Sequence, residues 1–161
     1  MKIDWQTWTP GLRATLMFIE DEAERKVLLI RKKRGFGQGK INGPGGKLDP
    51  GESELECAVR ETVEELGVTA LNSRKRGELW FQFVDGLAMH VAVFHATEHA
   101  GVAAETEEAV PLWTPVDDIP FEQMWADDRH WLKQMLATQE SFMGRFLFDG
   151  DDMLSCEVEW R

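Results

Sequence analysis

Basic residues are in short supply: 18 lysines and arginines stand against 29 aspartates and glutamates, a formal charge of -11. A protein that grips DNA or RNA needs an extended basic face for the phosphates, and none of sufficient extent is present, so no nucleic-acid polymer is expected as partner. Long hydrophobic runs are missing too. Nothing approaches the roughly eighteen apolar residues of a membrane span, and the opening MKIDWQTWTP lacks the apolar stretch of a secretory leader. The expectation is a cytoplasmic protein with no membrane partner. Cysteine is nearly absent, and Cys57 and Cys156 have no metal-like spacing, which suits free thiols in a reducing compartment. Low-complexity tracts, internal repeats and linker-like composition breaks are lacking as well. Residues 1–161 therefore read as a single domain, expected as a monomer.

What the chain does have is acid, gathered in GKLDPGESELECAVRETVEELGV, residues 46–68. Residues three and four apart on a helix are neighbours, so Glu61, Glu64 and Glu65 would project carboxylates into one small volume. Leu55, Ala58, Val59, Thr62, Val63 and Leu66 supply the apolar rhythm of a helix packed on a core. Ser53 followed by Glu56 predicts a capping box at its start, and Gly67 a left-handed cap at its end. Six glutamates fall within residues 52–66, where only Arg60 is basic. A solvated helix face would interleave lysines. Crowded hard oxygen ligands without lysine suit Mg²⁺ or Mn²⁺.

The pattern G-x5-E-x7-R-E-U-x-E-E-x-G-U, with U a bulky apolar residue, resembles the signature box of the Nudix hydrolases from Gly46 to Val68. Seven fixed positions at an average usage of about 7% coincide by chance on the order of 10^-8 per starting point. Thr62 stands where a bulky aliphatic is usual, and its hydroxyl can bond back to the carbonyl of Ala58. The resemblance implies a Nudix α/β/α sandwich with a mixed central sheet, and metal-dependent hydrolysis of a nucleoside diphosphate linked to another moiety.

Read without the resemblance, the elements give an α+β order. Ala14–Ile19 and Lys26–Arg31 predict a hairpin across EDEAER, and Leu79–Val84 and Leu87–Ala96 a second one across Asp85-Gly86. A short strand is expected around Trp113, a helix from about Glu122 to Ala137, and a last hairpin of Ser141–Phe148 with Met153–Trp160. The glycine-rich GFGQGKINGPGGK allows close backbone approach to a ligand. An acidic protein that binds a triphosphate needs bridging cations and a local basic patch, for which Arg31-Lys32-Lys33-Arg34, Lys40 and Lys47 are candidates. No histidine has ligand-like spacing.

Residues 32–47 and 107–128 resemble the Nudix branch that hydrolyses oxidised purine nucleoside triphosphates, through Asn42 and the run Trp125-Ala126-Asp127-Asp128. That resemblance implies that Asn42, Asp127 and Asp128 hydrogen-bond the purine edge while Trp125 stacks on the base. Thr15, Lys32, Phe36, Phe81 and Met89 match further pocket positions. Ile41 and Ala126 depart from it, replacing an aromatic and a proline. Tryptophan with carboxamide and carboxyl groups suits a purine's face and edge. If enclosure holds a proton on one aspartate, the pair can donate and accept at once. For catalysis, the resemblance implies Glu61, Glu64, Glu65, Glu108 and the carbonyl of Gly45 around the metal, with Glu64 and Glu65 first as ligands. Arg60 would orient carboxylates, including Glu52. Which glutamate takes the proton stays open, because ligation and proton abstraction demand the same residue type. The expected substrate is a small nucleotide, with 8-oxo-dGTP leading. Another modified purine nucleotide, a dinucleoside polyphosphate or a nucleotide sugar is the alternative, and a catalytically silent nucleotide sensor the remoter one.

Overall fold

Alternation along the strands builds two cores on opposite faces of one sheet. In β1 (Leu12–Asp21) Met17 and Ile19 turn to one face and Phe18 to the other, all fully buried. In β2 (Lys26–Lys32) Val27 and Leu29 join Phe18, whereas Leu28 and Ile30 join Met17. Fully burying such a side chain contributes about 1.5–3 kcal/mol, so a one-residue slip of register would cost several of these at once. The structure, a computed structural model, describes residues 1–161.

The order continues with β3 (Ile41–Asn42), β4 (Gly45–Lys47), α1 (Glu54–Leu66), β5 (Thr69–Leu71), β6 (Arg74–Phe83), β7 (Ala88–Ala96), β8 (Glu98–Ala100) and β9 (Ala109–Pro115). Two short 3-10 turns, Phe121–Gln123 and Asp128–His130, lead into α2 (Leu132–Ala137), β10 (Phe142–Asp149) and β11 (Asp152–Trp160). The large sheet runs β11-β10-β6-β7-β1-β2-β3, with β4 beside the first half of β1 and β9 beside β2. It is mixed: β1 lies parallel to β7 and β6 parallel to β10, while the other neighbours are antiparallel. β5 and β8 form a separate ribbon. α1 packs on the Met17 face and α2 on the Phe18 face, giving the expected α/β/α layering. No helix is long and apolar enough to cross a membrane.

The cap signals of α1 are realised. Ser53 accepts from the Glu56 amide at 3.1 Å, Glu56 accepts from the Ser53 amide at 3.1 Å, and Gly67 closes the helix at φ 74°. Thr62 donates its hydroxyl to the Ala58 carbonyl at 2.8 Å. The packed face differs from the expected stripe, since Leu55 and Val63 are exposed while Cys57 and Glu65 are buried. The helix is rotated so that Glu65 points inward, against the preference of an isolated amphipathic helix. Both cysteines are free.

The three hairpins form, but Phe83 bonds its amide to the Leu87 carbonyl, so the middle loop encloses residues 84–86 rather than two residues. The helix expected over 122–137 is broken into two 3-10 turns and the six residues of α2. Met124 is extended at φ -112° and ψ 173°, and Trp131 sits at φ -141°. Those breaks let Trp131 bury fully against Phe18 and Phe142 while Asp127 and Asp128 turn inward. Tertiary packing outweighs helix propensity here.

Candidate active site

Two glycines explain how β4 can lie against both β1 and α1. A Cβ on Gly45 would collide with the Thr15 backbone carbonyl, and one on Gly46 with the carboxyl of Glu61. This close approach sets α1 over the sheet so that Glu61 and Glu65, one turn apart, face β4. Glu108 arrives from the residue before β9. Thr106 ties that loop to the helix end, donating to the Glu65 carbonyl at 2.7 Å and accepting from the Glu108 amide at 3.2 Å.

Carboxylate oxygens of Glu61, Glu65 and Glu108 lie within 4.8 Å of one another. Glu65 is 4% exposed, and its Oε2 is buried without a hydrogen-bond partner. Burial first, then the charge of Glu61, pushes its carboxyl up to about 8, against the opposing pull of Lys32 and a backbone hydrogen bond from Gly45. Burial also raises Glu61, with Arg60 opposing. Three converging acids, one with an orphaned oxygen, fit a hard divalent cation, which would neutralise the crowding. Glu64 stands apart from this group. Its side chain is half exposed and accepts from Arg60 at 3.2 Å.

Arg60 is the hub of the surrounding acids. Its Nε and Nη2 fork onto Glu52 at 2.6 and 2.9 Å, and Nη1 reaches Glu61 at 2.9 Å. Nη2 also donates to the Lys47 carbonyl at 3.1 Å, pinning β4 to the helix. This fork holds the Glu52 carboxyl down at about 2. The geometry matches an orienting role, with two acids aligned by one rigid guanidinium.

Beside the acids a cavity of about 260 Å³ opens between β1, β6, β7 and the turns before α2. Thr15, Lys32, Phe36, Asn42, Phe81, Met89, Trp125, Asp127 and Asp128 all line it, together with Gly45, Gly46 and Lys47. The sequence scatters these residues over more than a hundred positions, and the fold brings every one of them to a single cavity. Trp125 stacks on Phe36 at 5.1 Å and 15°, and meets Phe83 and Phe148 edge-on at 6.0 and 5.7 Å. The Lys40 ammonium lies 4.8 Å from the Trp125 ring centroid and pairs with Asp151 at 3.1 Å. Asn42 accepts from the Gly43 amide at 2.8 Å, which leaves its NH2 as the free end.

Asp127 and Asp128 are 1% and 2% exposed, and neither caps a helix through its side chain. Trp131 donates Nε1 to Asp127 Oδ2 at 2.9 Å. Asp127 Oδ1 and Asp128 Oδ2 are buried without partners. Burial raises both carboxyls, and the charge of Asp127 raises Asp128 further. The pair is therefore placed to hold a proton between its two carboxyls.

Most of the basic run is engaged by neighbours: Lys33 by Glu105 at 2.8 Å, Arg34 by Glu108 at 3.4 Å, and Arg31 by the Gly39 carbonyl and Gln123. Lys32 and Lys47 are the members that line the cavity. Sequence reasoning missed Phe83 and Phe148 in the aromatic wall. Phe83 follows Phe81 by the two-residue strand period, whereas Phe148 depends on the β6–β10 pairing that sets it opposite Phe83.

A NUDIX domain model matches residues 10–135. The chain is 45% identical over 130 residues to an oxidized purine nucleoside triphosphate hydrolase of Danio rerio, covering 80% of this chain and 83% of that one. It is 40% identical over 131 residues to the protein of the same description from Mus musculus, covering 81% and 83%. Among solved structures it resembles a MutT protein from Bacillus halodurans, with TM-score 0.80 and 31% identity over 92% of this chain and 97% of that one. With the acid-bearing helix, its glycine-pressed β4 and the layered mixed sheet already in view, the chain belongs to the Nudix family of hydrolases.

Proposed function

We propose that the protein hydrolyses oxidised purine nucleoside triphosphates, 8-oxo-dGTP foremost, to the monophosphate and pyrophosphate, and so clears damaged precursors from the nucleotide pool. The observation that carries this reading is the buried pair Asp127–Asp128 in the same cavity wall as Trp125 and Asn42, next to the Glu61–Glu65–Glu108 group. The reading treats residues 1–161 as a single domain acting as a monomer in the cytoplasm.

In this account Trp125 supplies the stacking face, and the Asn42 NH2, protonated Asp128 and ionised Asp127 meet the purine edge. Two carboxyls that share a proton can serve a base whose edge offers both a donor and an acceptor, whereas an unpaired buried group would cost about 1–3 kcal/mol. That penalty is the source of selectivity. Lys32 and Lys47 face the phosphates, and Glu61, Glu65 and Glu108, with the Gly45 carbonyl nearby and Glu64 held outside the group by Arg60, would hold Mg²⁺, with Mn²⁺ as a substitute. Bound there, a divalent ion would supply screening of the triphosphate's charge and a more acidic water. Arg60 keeps Glu52 and Glu61 in place. Water oxygen bonds to phosphorus, the α–β bridge breaks, and a carboxylate of the cluster accepts the proton.

Pyrophosphate release from 8-oxo-dGTP and dGTP, measured with and without Mg²⁺, tests the proposal. Metal-dependent release that favours the oxidised base supports it. Equal release from the two redirects the substrate search to other Nudix nucleotides, and release without metal contradicts the assignment of the acids.

A further inference from the structure

A second group of ligand-type side chains lies on the other face of β6 and β7. Leu79 and Phe81 of β6 and Val91 of β7 face the nucleotide cavity, so their neighbours Glu78 and His90 face the opposite way. Glu54, the first residue of α1, meets them there. Glu54, Glu78 and His90 each offer a ligand atom, all within 4.8 Å of one another. Glu61 lies seven positions after Glu54, roughly 10 Å along the helix, so the two groups are distinct.

His90 distinguishes this group from an ordinary acidic patch. Its side chain is 8% exposed, and its Nε2 lies 3.1 Å from Glu78 Oε1. With Glu78 accepting from Nε2, a neutral ring would carry its lone pair on Nδ1. Nδ1 is buried with no hydrogen-bond partner and lies 3.8 Å from Glu54 Oε2. Two ligands on one zinc ion at about 2.0–2.2 Å can be no more than about 4 Å apart, so the pair is within reach of a shared ion. A carboxylate bonded to the far nitrogen of a ligating imidazole is a common way to fix the tautomer.

Lys75 now bridges the acids, with Nζ 2.9 Å from Glu54 Oε1 and 2.9 Å from Glu78 Oε1. One ammonium offsets two carboxylates only in part and leaves Nδ1 unsatisfied. A divalent ion would complete the neutralisation and take up the orphaned nitrogen. The imidazole selects against Mg²⁺ and Ca²⁺, which take oxygen, and for zinc or a similar transition ion. We propose that Glu54 and His90 Nδ1 hold a transition-metal ion while Glu78 orients the imidazole through its far nitrogen, an arrangement in which the ion displaces the Lys75 ammonium and ties the first turn of α1 to β6 and β7. The site would brace the helix that carries the acid cluster without entering the hydrolytic chemistry, whatever the substrate.

Calorimetric titration of Zn²⁺ into the full chain in excess Mg²⁺, with Co²⁺ absorption to report imidazole ligation, tests this. One equivalent should bind the wild type. His90→Gln should weaken it by at least the about 10–100-fold seen when a supporting residue of a metal site is lost. Lys75→Met should tighten it, and Glu65→Gln should leave it intact. Circular dichroism checks the fold of His90→Gln, and Glu54→Gln at the helix start reads the same loss if that variant does not fold. Equal Zn²⁺ binding by wild type, His90→Gln and Glu54→Gln, loss of binding in Glu65→Gln, or no binding even by Lys75→Met would overturn the proposal.

Discussion

Glu61 and Glu65 on one side of the cavity and Asp127 and Asp128 on the other are both carboxyl pairs raised by burial, yet their surroundings differ. The glutamates adjoin the Arg60 fork, face Lys32 and open onto the glycines of β4, where a cation can be received. The aspartates lie among Trp125, Trp131 and the aromatic wall, where Trp131 Nε1 supplies the side-chain hydrogen bond they receive. The same side-chain chemistry is thus directed to two ends. Crowded charge with access suits a metal, and crowded charge without access suits a held proton.

The largest expected effect separates the two groups by chelation. Removing divalent metal, or substituting Glu65→Gln, should lower turnover by at least about 10²–10³, comparable to losing one strong transition-state contact. Equilibrium binding of the oxidised monophosphate should persist in both cases, as read by Trp125 fluorescence. Next, Trp125→Ala removes the stacking face, worth about 1–3 kcal/mol per base, so kcat/KM should fall about tenfold to a hundredfold with metal dependence unchanged. Competition kinetics against normal dGTP checks that the loss is in base binding.

A smaller effect is read as stability against pH. The Asp127 carboxyl is raised from 3.8 to about 6, so it binds protons more tightly in the folded state than in the unfolded one. Its stabilising protonation is fully present below 3.8 and lost as pH rises through about 6. Asp127→Asn should remove that slope, and at pH 8 it should raise stability by about 1–3 kcal/mol while costing base discrimination. Thermal melts between pH 4 and pH 8 would show a flattened curve, and an unchanged slope would mean that the pair does not hold its proton as described. The smallest effect is Thr62→Val, which trades the hydroxyl bond to Ala58 for an apolar methyl. Within about 1 kcal/mol of stability and no change in turnover are expected, since this residue faces the core rather than either carboxyl group.

Parts of this contrast were legible in the sequence and parts were not. Local signals held: the Ser53–Glu56 box, the Gly67 cap and the strand alternation depend on neighbours in the chain. The convergence of Asn42, Trp125, Asp127 and Asp128 was accessible through the family resemblance, because no spacing rule links positions so far apart. What stayed hidden depended on long-range packing. The inward rotation of Glu65 and the break of the 122–137 helix follow from how β4 and Trp131 dock, and neither leaves a periodic trace. The Glu54–Glu78–His90 group was invisible for the same reason, since the register of β6 on β7 and the start of α1 create it.

The central claim is the division of labour between the two carboxyl groups, and one paired measurement tests it most directly. Rates of pyrophosphate release from 8-oxo-dGTP and dGTP should be compared in wild type, Glu65→Gln and Asp127→Asn at saturating Mg²⁺. The account predicts that Glu65→Gln loses turnover on both substrates with their ratio preserved, while Asp127→Asn keeps metal-dependent turnover and loses the ratio. A preserved ratio in Asp127→Asn together with an altered one in Glu65→Gln would contradict it.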